Sequence, residues 1–154
     1  EQEAELWTLR DELSPVLAHP AHTHHAVQGD TGVPVARVAD FVRSVHRLAD
    51  ELAPMAHCTT FGHVGDGNIH VAILPITDDA VAPFLAVRDE LAARLDELVL
   101  DLGGTLSAEH GVGTLLRNRV GPQKSAVEWD LMRAIKTAFY PDDRLNPGVL
   151  LPPR

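Results

Sequence analysis

The sequence predicts an α+β domain, an antiparallel sheet with helices packed on one face. Three observations carry that prediction. Two long stretches place apolar residues at three- and four-residue steps, as helices with one buried face do. Between and before them stand short runs rich in β-branched residues and bounded by Gly, Asp and Pro. Two of those runs meet at Asp66-Gly67, a strong short hairpin signal.

Taken in order, "AELWTLRDELSPVL" carries Leu6, Leu9 and Leu13, a helical stripe ended by Pro20 and a histidine tract. "HAVQGDTGV" reads as an edge strand. Pro34 then suits the first turn of a helix. Val38, Phe41, Val42, Val45, Leu48 and Leu52 make 35–53 an amphipathic helix, stopped by Pro54. "MAHCTTFGHVG" and "NIHVAILP" read as paired strands. "DDAVAPFLAVRDELAARLDELVLDLGG" is a strong helix with Asp78 and Asp79 in its first turn and Gly103 at its C-cap. "GTLS" reads as a short strand. "SAVEWDLMRAIKTAFY" opens on a capping box, Ser125 with Glu128 three residues on, and Pro141 closes it. The tail "DDRLNPGVLLPPR" is rich in turn residues. From residue 27 the order β, α, β, β, α, β is that of the ferredoxin-like split βαβ arrangement, with flanking N- and C-terminal helices. Its second sheet face must be covered or carry a site.

The chain has 154 residues, enough for one domain with a core. Its net charge of −9, without a Lys/Arg cluster, argues against binding nucleic acid through phosphates. No apolar run approaches the ~18 residues of a membrane span, and no signal-peptide pattern opens the chain. The single cysteine, Cys58, forms no internal disulfide and fits a reducing compartment. The opening "EQEAELWTLRDEL" starts inside a helical pattern, as a piece of a longer chain would. Four of the nine histidines, His19, His22, His24 and His25, fall in one tract, which reads as a solvated loop rather than a metal site.

"FGHVGDGNIHVAI" sets His63 and His70 seven residues apart, on opposite faces of any single strand. Folded at Asp66-Gly67, the pairing becomes Gly65 with Asn68, Val64 with Ile69, and His63 with His70. Directly opposed Cβ atoms lie ~4.5–5.5 Å apart. That is close enough for two imidazoles to share a divalent ion at ~2.0–2.1 Å each. Ile69, Val71 and Ile73 then share a greasy face with Val64, and Cys58 falls on it as a small buried hydrophobe. Two readings stand at this point, an incidental pair and half of a metal site that needs a third ligand. "GGTLSAEHGVG" offers that ligand. Glu109 and His110 follow a strand and precede glycines that let the backbone approach a bound group. The plain alternative is a solvated loop acid with a neighbouring histidine.

"FGHVGDGNIH", "GTLSAEHGVG" and "LMRAIKTAFYPDDRLNPG", in this order, resemble the C-terminal domain of FAD-linked oxidases. This is the branch of the vanillyl-alcohol-oxidase superfamily with D-2-hydroxyglutarate dehydrogenase, D-lactate dehydrogenase and the glycolate oxidase flavin subunit. The resemblance runs from "LWTLRDEL" to "LNPGVLLP". It implies a ferredoxin-like substrate domain, residues 1–154, capping a flavin held by a separate FAD-binding domain. It also implies oxidation of a D-2-hydroxy acid (lactate, glycolate or 2-hydroxyglutarate type) to the 2-oxo acid. Carried onto this sequence, His63, His70 and Glu109 hold a divalent metal, often zinc, and His110 is the base. Asn68 lies at the substrate, Arg10 holds a substrate carboxylate and Ser14 assists one turn later. The residue types agree with those roles. A metal lowers the pKa of the 2-hydroxyl, a neutral imidazole takes its proton, and the planar guanidinium of arginine fits a carboxylate. The cytoplasm, peripherally at the membrane, is the expected location, and a homodimer through surface left uncovered is a further expected partner.

Two departures stand out. Gln28 takes the place where relatives often carry a lysine that pairs with substrate, which argues against a second substrate carboxylate. Leu116 stands where a lysine often follows the "EHGVG" motif. No dinucleotide or flavin-phosphate motif occurs, so the chain alone is expected to be inactive. Three rival readings remain: a stand-alone metal module, a metal hydrolase in which His110 activates water, and a non-catalytic homologue.

Overall fold

A computed structural model describes residues 2–8 and 25–151. Residues 2–8 are helical. Three strands follow, β1 (Val27–Gly32), β2 (Ala56–His63) and β3 (Asn68–Pro75), with the helices α1 (Val38–Leu52), α2 (Asp78–Asp101), α3 (Arg117–Val120) and α4 (Ala126–Phe139). The class is α+β, with a fully antiparallel sheet in the order β1-β3-β2. Strand β1 is an edge, as its sequence predicts.

Alternation along the strands decides what each face does. Val27, Ile69, Val71 and Ile73 point to the helices and join Phe41, Val45 and Ala49 of α1 and Phe84, Leu91, Leu95 and Val99 of α2 in one core. Cys58 sits opposite Ile73 on this face, packed against the core, and burial pushes its thiol up to about 11. The other face carries Gln28, Asp30, Phe61, His63, Asn68 and His70. Among the described residues no helix covers it.

Helix ends follow the predicted signals. After α2, Gly103 adopts a left-handed φ of 75° and its N–H donates to Leu100 O at 2.8 Å, while the Gly104 N–H donates to Val99 O at 2.9 Å. That pair of bonds is a Schellman motif. On α4, Ser125 Oγ accepts from the Glu128 N–H and Glu128 Oε2 accepts from the Ser125 N–H at 2.8 Å, the capping box read in the sequence.

Two expectations need correction. "GTLS" is not a fourth strand; it makes only two isolated bridges, Gly32 with Thr105 and Asp30 with Ser107. The pairing stops because the Asp30 side chain, rather than strand backbone, takes the next amides. The hairpin also turns differently. Strand β2 ends at His63, Val64–Asp66 form a 3-10 turn, and Gly67 closes it at a φ of 75°. The loop therefore has four residues, and His63 faces Asn68 while Phe61 faces His70. Val64 lies exposed in the turn instead of on the core face. The register moves by two residues, one full period of the pleat, so both histidines keep their shared face.

Gly67 fixes this turn. Its carbonyl accepts from the Val33 N–H at 2.9 Å, and a Cβ on it would overlap the Val33 carbonyl oxygen. Gly67→Ala is expected to cost about 1–3 kcal/mol from strain and collision. Urea unfolding checks it; an unchanged midpoint would contradict the role given to this glycine.

Candidate active site

Three strands line up three side chains. Asp30 of β1 is paired with His70 of β3, which is paired with Phe61 of β2, all on the face opposite the core helices. The His70 ring is held between Phe61, with ring centroids 5.1 Å apart and tilted by 40°, and His110, 5.1 Å away and stacked at 14°. These rings border an open cavity of about 1470 Å³ that also reaches Gln28, His63 and Glu109.

Glu109 and His110 arrive there because β1 grips their backbone. Asp30 Oδ2 accepts the N–H of Ala108 at 3.1 Å, of Glu109 at 3.0 Å and of His110 at 2.7 Å. The Ala108 N–H also donates to the Asp30 carbonyl at 3.0 Å. Beyond, Gly111 and Gly113 take left-handed φ values of 79° and 54° and turn the chain away. The far side is tied down twice. Arg119 donates to both carboxylate oxygens of Asp96 on α2, and the Leu150 N–H donates to Gly113 O at 3.0 Å.

Glu109 lies between two imidazoles. Its Oε1 is 2.8 Å from His70 Nε2, and its Oε2 is 3.9 Å from His63 Nε2. Zinc binds such atoms at ~2.0–2.2 Å, so two donors on one ion lie within about 4.2 Å of each other. Both contacts fall within that limit, but His63 reaches the cluster only through Glu109 and is not among the residues whose donor atoms all lie close to one another. The turn correction makes His63 and His70 diagonal rather than directly opposed, and the carboxylate bridges them. Asp30, His70, Glu109 and His110 form a tighter group, with one donor atom from each within 4.8 Å of the others. Two imidazoles with carboxylates suit a divalent ion of the zinc type.

The remaining site residues divide. His110 is well exposed at the cavity, its Nε2 3.6 Å from Glu109 Oε1. Asn68 is buried under the turn and does not line the cavity, and its Oδ1 has no partner. Arg10 and Ser14 lie outside the described residues. Gln28 is exposed on β1 at the cavity rim, opposite Ala72.

Asp30 is not among the residues that the sequence pattern singles out. Asp30 is 8% exposed, and its Oδ1 is buried without a partner. Burial works against its charge. The amides of His110 and Glu109, with the neighbouring His110 and His70, outweigh that and hold the carboxyl below its usual value. An acid inside a strand whose two neighbours, Thr31 and Gly29, face the core was the available signal.

A depressed folded-state pKa means the ionised form stabilises the fold. That contribution is whole above the unfolded value of about 3.9 and is lost as pH falls through the lower folded value. Asp30→Asn is therefore expected to be less stable than the parent chain from about pH 5 upward, with the difference shrinking toward about pH 3. Urea titrations at both ends measure it; a gap of the same size at both would contradict this account.

Comparison with known proteins places the chain. The family model for FAD linked oxidases, C-terminal domain, matches residues 1–150. D-2-hydroxyglutarate dehydrogenase of Xanthomonas citri pv. viticola is 32% identical over 149 residues, covering 97% of this chain and 31% of that protein. The mitochondrial D-lactate dehydrogenase [cytochrome] of Arabidopsis thaliana is 31% identical, covering 99% of this chain and 26% of its own length. Glycolate oxidase subunit GlcD of Escherichia coli (strain K12) is 31% identical, with 95% and 28% covered. The chain thus spans less than a third of the length of these relatives. Among the described residues no helix is long and apolar enough to cross a membrane.

Proposed function

The chain belongs to the family of FAD-linked oxidase C-terminal domains, and on that premise we propose that it caps the flavin of a dehydrogenase oxidising a D-2-hydroxy acid to the 2-oxo acid. The observation that carries this is Glu109 bridging His63 and His70, with His110 exposed beside them on the cavity. We assign a divalent ion, most simply zinc, to His63, His70 and Glu109: His70 and Glu109 belong to a cluster of mutually close donor atoms, and His63 approaches it through Glu109 at 3.9 Å. Such an ion, when bound, lowers the pKa of the substrate 2-hydroxyl. Flavin would supply the oxidising chemistry at C2, and no residue of this chain carries a dinucleotide-binding pattern that would hold it.

The chain's own groups do the rest. His110 takes the hydroxyl proton, since its ring is open to the cavity and stacked on a fixed neighbour. Arg10 pairs with the substrate carboxylate, with Ser14 beside it, while Asn68, buried off the cavity, takes no part in this reading. Gln28, neutral at the cavity rim, favours an acid with one carboxylate over a diacid. The flavin-binding domain is a further part of the same polypeptide. It covers the apolar stripe of α4, where Val127, Leu131, Ile135 and Phe139 stay exposed. Without it, this chain is inactive.

Two measurements test the reading. In the complete flavoprotein, anaerobic addition of D-2-hydroxy acids is expected to bleach the flavin, with lactate or glycolate faster than 2-hydroxyglutarate. A flavin that none of them reduces would refute the oxidase assignment, and a preference for the diacid would refute the reading of Gln28. His110→Ala is expected to lower turnover by about 10²–10⁴-fold with metal content near normal. Loss of metal with turnover kept would favour a stand-alone metal module. Ester cleavage by the zinc-loaded isolated chain would favour a hydrolase.

A further inference from the structure

Asp30 is enclosed more completely than the loop grip requires. Oδ2 alone takes the three amides of 108–110. Oδ1 is buried, has no hydrogen-bond partner, and lies 3.7 Å from His70 Nδ1. The opposite nitrogen of the same ring, Nε2, is the one that meets Glu109 at 2.8 Å. The ring has little freedom to choose otherwise. Its side chain is 14% exposed, and Phe61 and His110 flank it. Asp30 is its direct neighbour in the pairing of β1 with β3.

We infer that Asp30 is a positioning residue for the metal site, backing His70 so that Nδ1–H faces the carboxylate and the Nε2 lone pair faces the ion. The inference rests on the metal-assisted reading above and deepens it. A ligating imidazole that donates its other N–H to a carboxylate has its tautomer and ring orientation fixed, and its basicity raised. The 3.7 Å separation is slightly longer than a hydrogen bond. Ion binding at Nε2 requires the proton on Nδ1, so it supplies the donor that Oδ1 lacks. One side chain then sets two parts of the site. Oδ2 fixes the backbone that carries Glu109 and His110, and Oδ1 fixes the ring that meets them. Direct ligation by Asp30 is disfavoured, because one oxygen is occupied by three amides and the other is sealed behind the ring.

Asp30→Asn separates the two roles. It keeps an oxygen for the amides, but its NH₂ then faces Nδ1 and opposes the required proton. The full chain, titrated with zinc, is expected to bind about 10–100-fold more weakly as Asp30→Asn. Amide exchange at 108–110 should remain slow in the variant, which shows that the loop still holds. Ring nitrogen NMR of the zinc-loaded parent chain supplies a readout that does not depend on the variant's folding. His70 is expected to ligate through Nε2 with a slowly exchanging Nδ1–H. Ligation through Nδ1, a freely exchanging Nδ1–H, or unchanged zinc affinity in a variant whose loop stays protected would overturn the inference. If the variant loses loop protection, the parent spectrum decides. A parent chain that takes up no zinc would overturn the metal-assisted reading and this inference with it. Zinc held by a His70 indifferent to Asp30 would overturn this inference alone.

Discussion

Three successive amides, those of Ala108, Glu109 and His110, converge on one oxygen of Asp30. Buried backbone donors must find acceptors, and strand pairing would ordinarily supply them. Here a side chain does so, and the substitution changes what the segment can be. After two bridges to β1 the chain no longer runs as a strand. It bends over the sheet edge and delivers Glu109 onto the face where His63 and His70 already point. The bond to His110 is the shortest of the three, and it anchors the residue whose side chain is most exposed. The imidazole is accessible while the backbone beneath it is held.

Much of this fold was legible in the sequence, because its signals are local. Pro34 and Pro54 bracket α1, Gly103 ends α2 with both bonds of its motif, and Ser125 with Glu128 opens α4. Strand β3 was read over Asn68–Pro75, since strict alternation leaves few choices of boundary. What escaped depends on interactions between distant segments. The hairpin carried Asp66-Gly67, a pattern that favours a two-residue turn. Gly67 instead closes a four-residue turn and is held by Val33, which local sequence does not reveal. "GTLS" has strand composition, yet its pairing ends where a side chain from residue 30 intervenes.

The candidate site was legible for a related reason. The shared face of His63 and His70 was legible by parity rather than by exact register, and parity survives an error of two. His63 and His70 share a face whether the turn has two residues or four, because the pleat repeats every second residue. A shift of one would have sent His70 into the helix-packed core and left Ile69 on the open face. Glu109, expected as the joining carboxylate, lies 2.8 Å and 3.9 Å from the two imidazoles. Asp30 was overlooked because a lone acid in a short strand carries no spacing pattern. Its meaning comes only from what lies 78 to 80 positions later in the chain.

The distribution of polarity also explains why the site faces outward. Each face of a three-stranded sheet needs a partner, and α1 and α2 serve only one of them. Covering the second face with another helix would bury Asp30, His70 and Glu109 together, at a steep cost in desolvation for two carboxylates. With that face open among the described residues, Glu109 and His110 stay partly hydrated, while Asp30, whose Oδ2 alone takes three amides, bears the burial. The ionic groups are thus graded by depth. The deepest has fixed backbone partners, the next lies between two imidazoles, and the outermost is open to the cavity. That gradient suits a surface designed to close against a second body, where the last step of desolvation is completed by the ligand and whatever covers it.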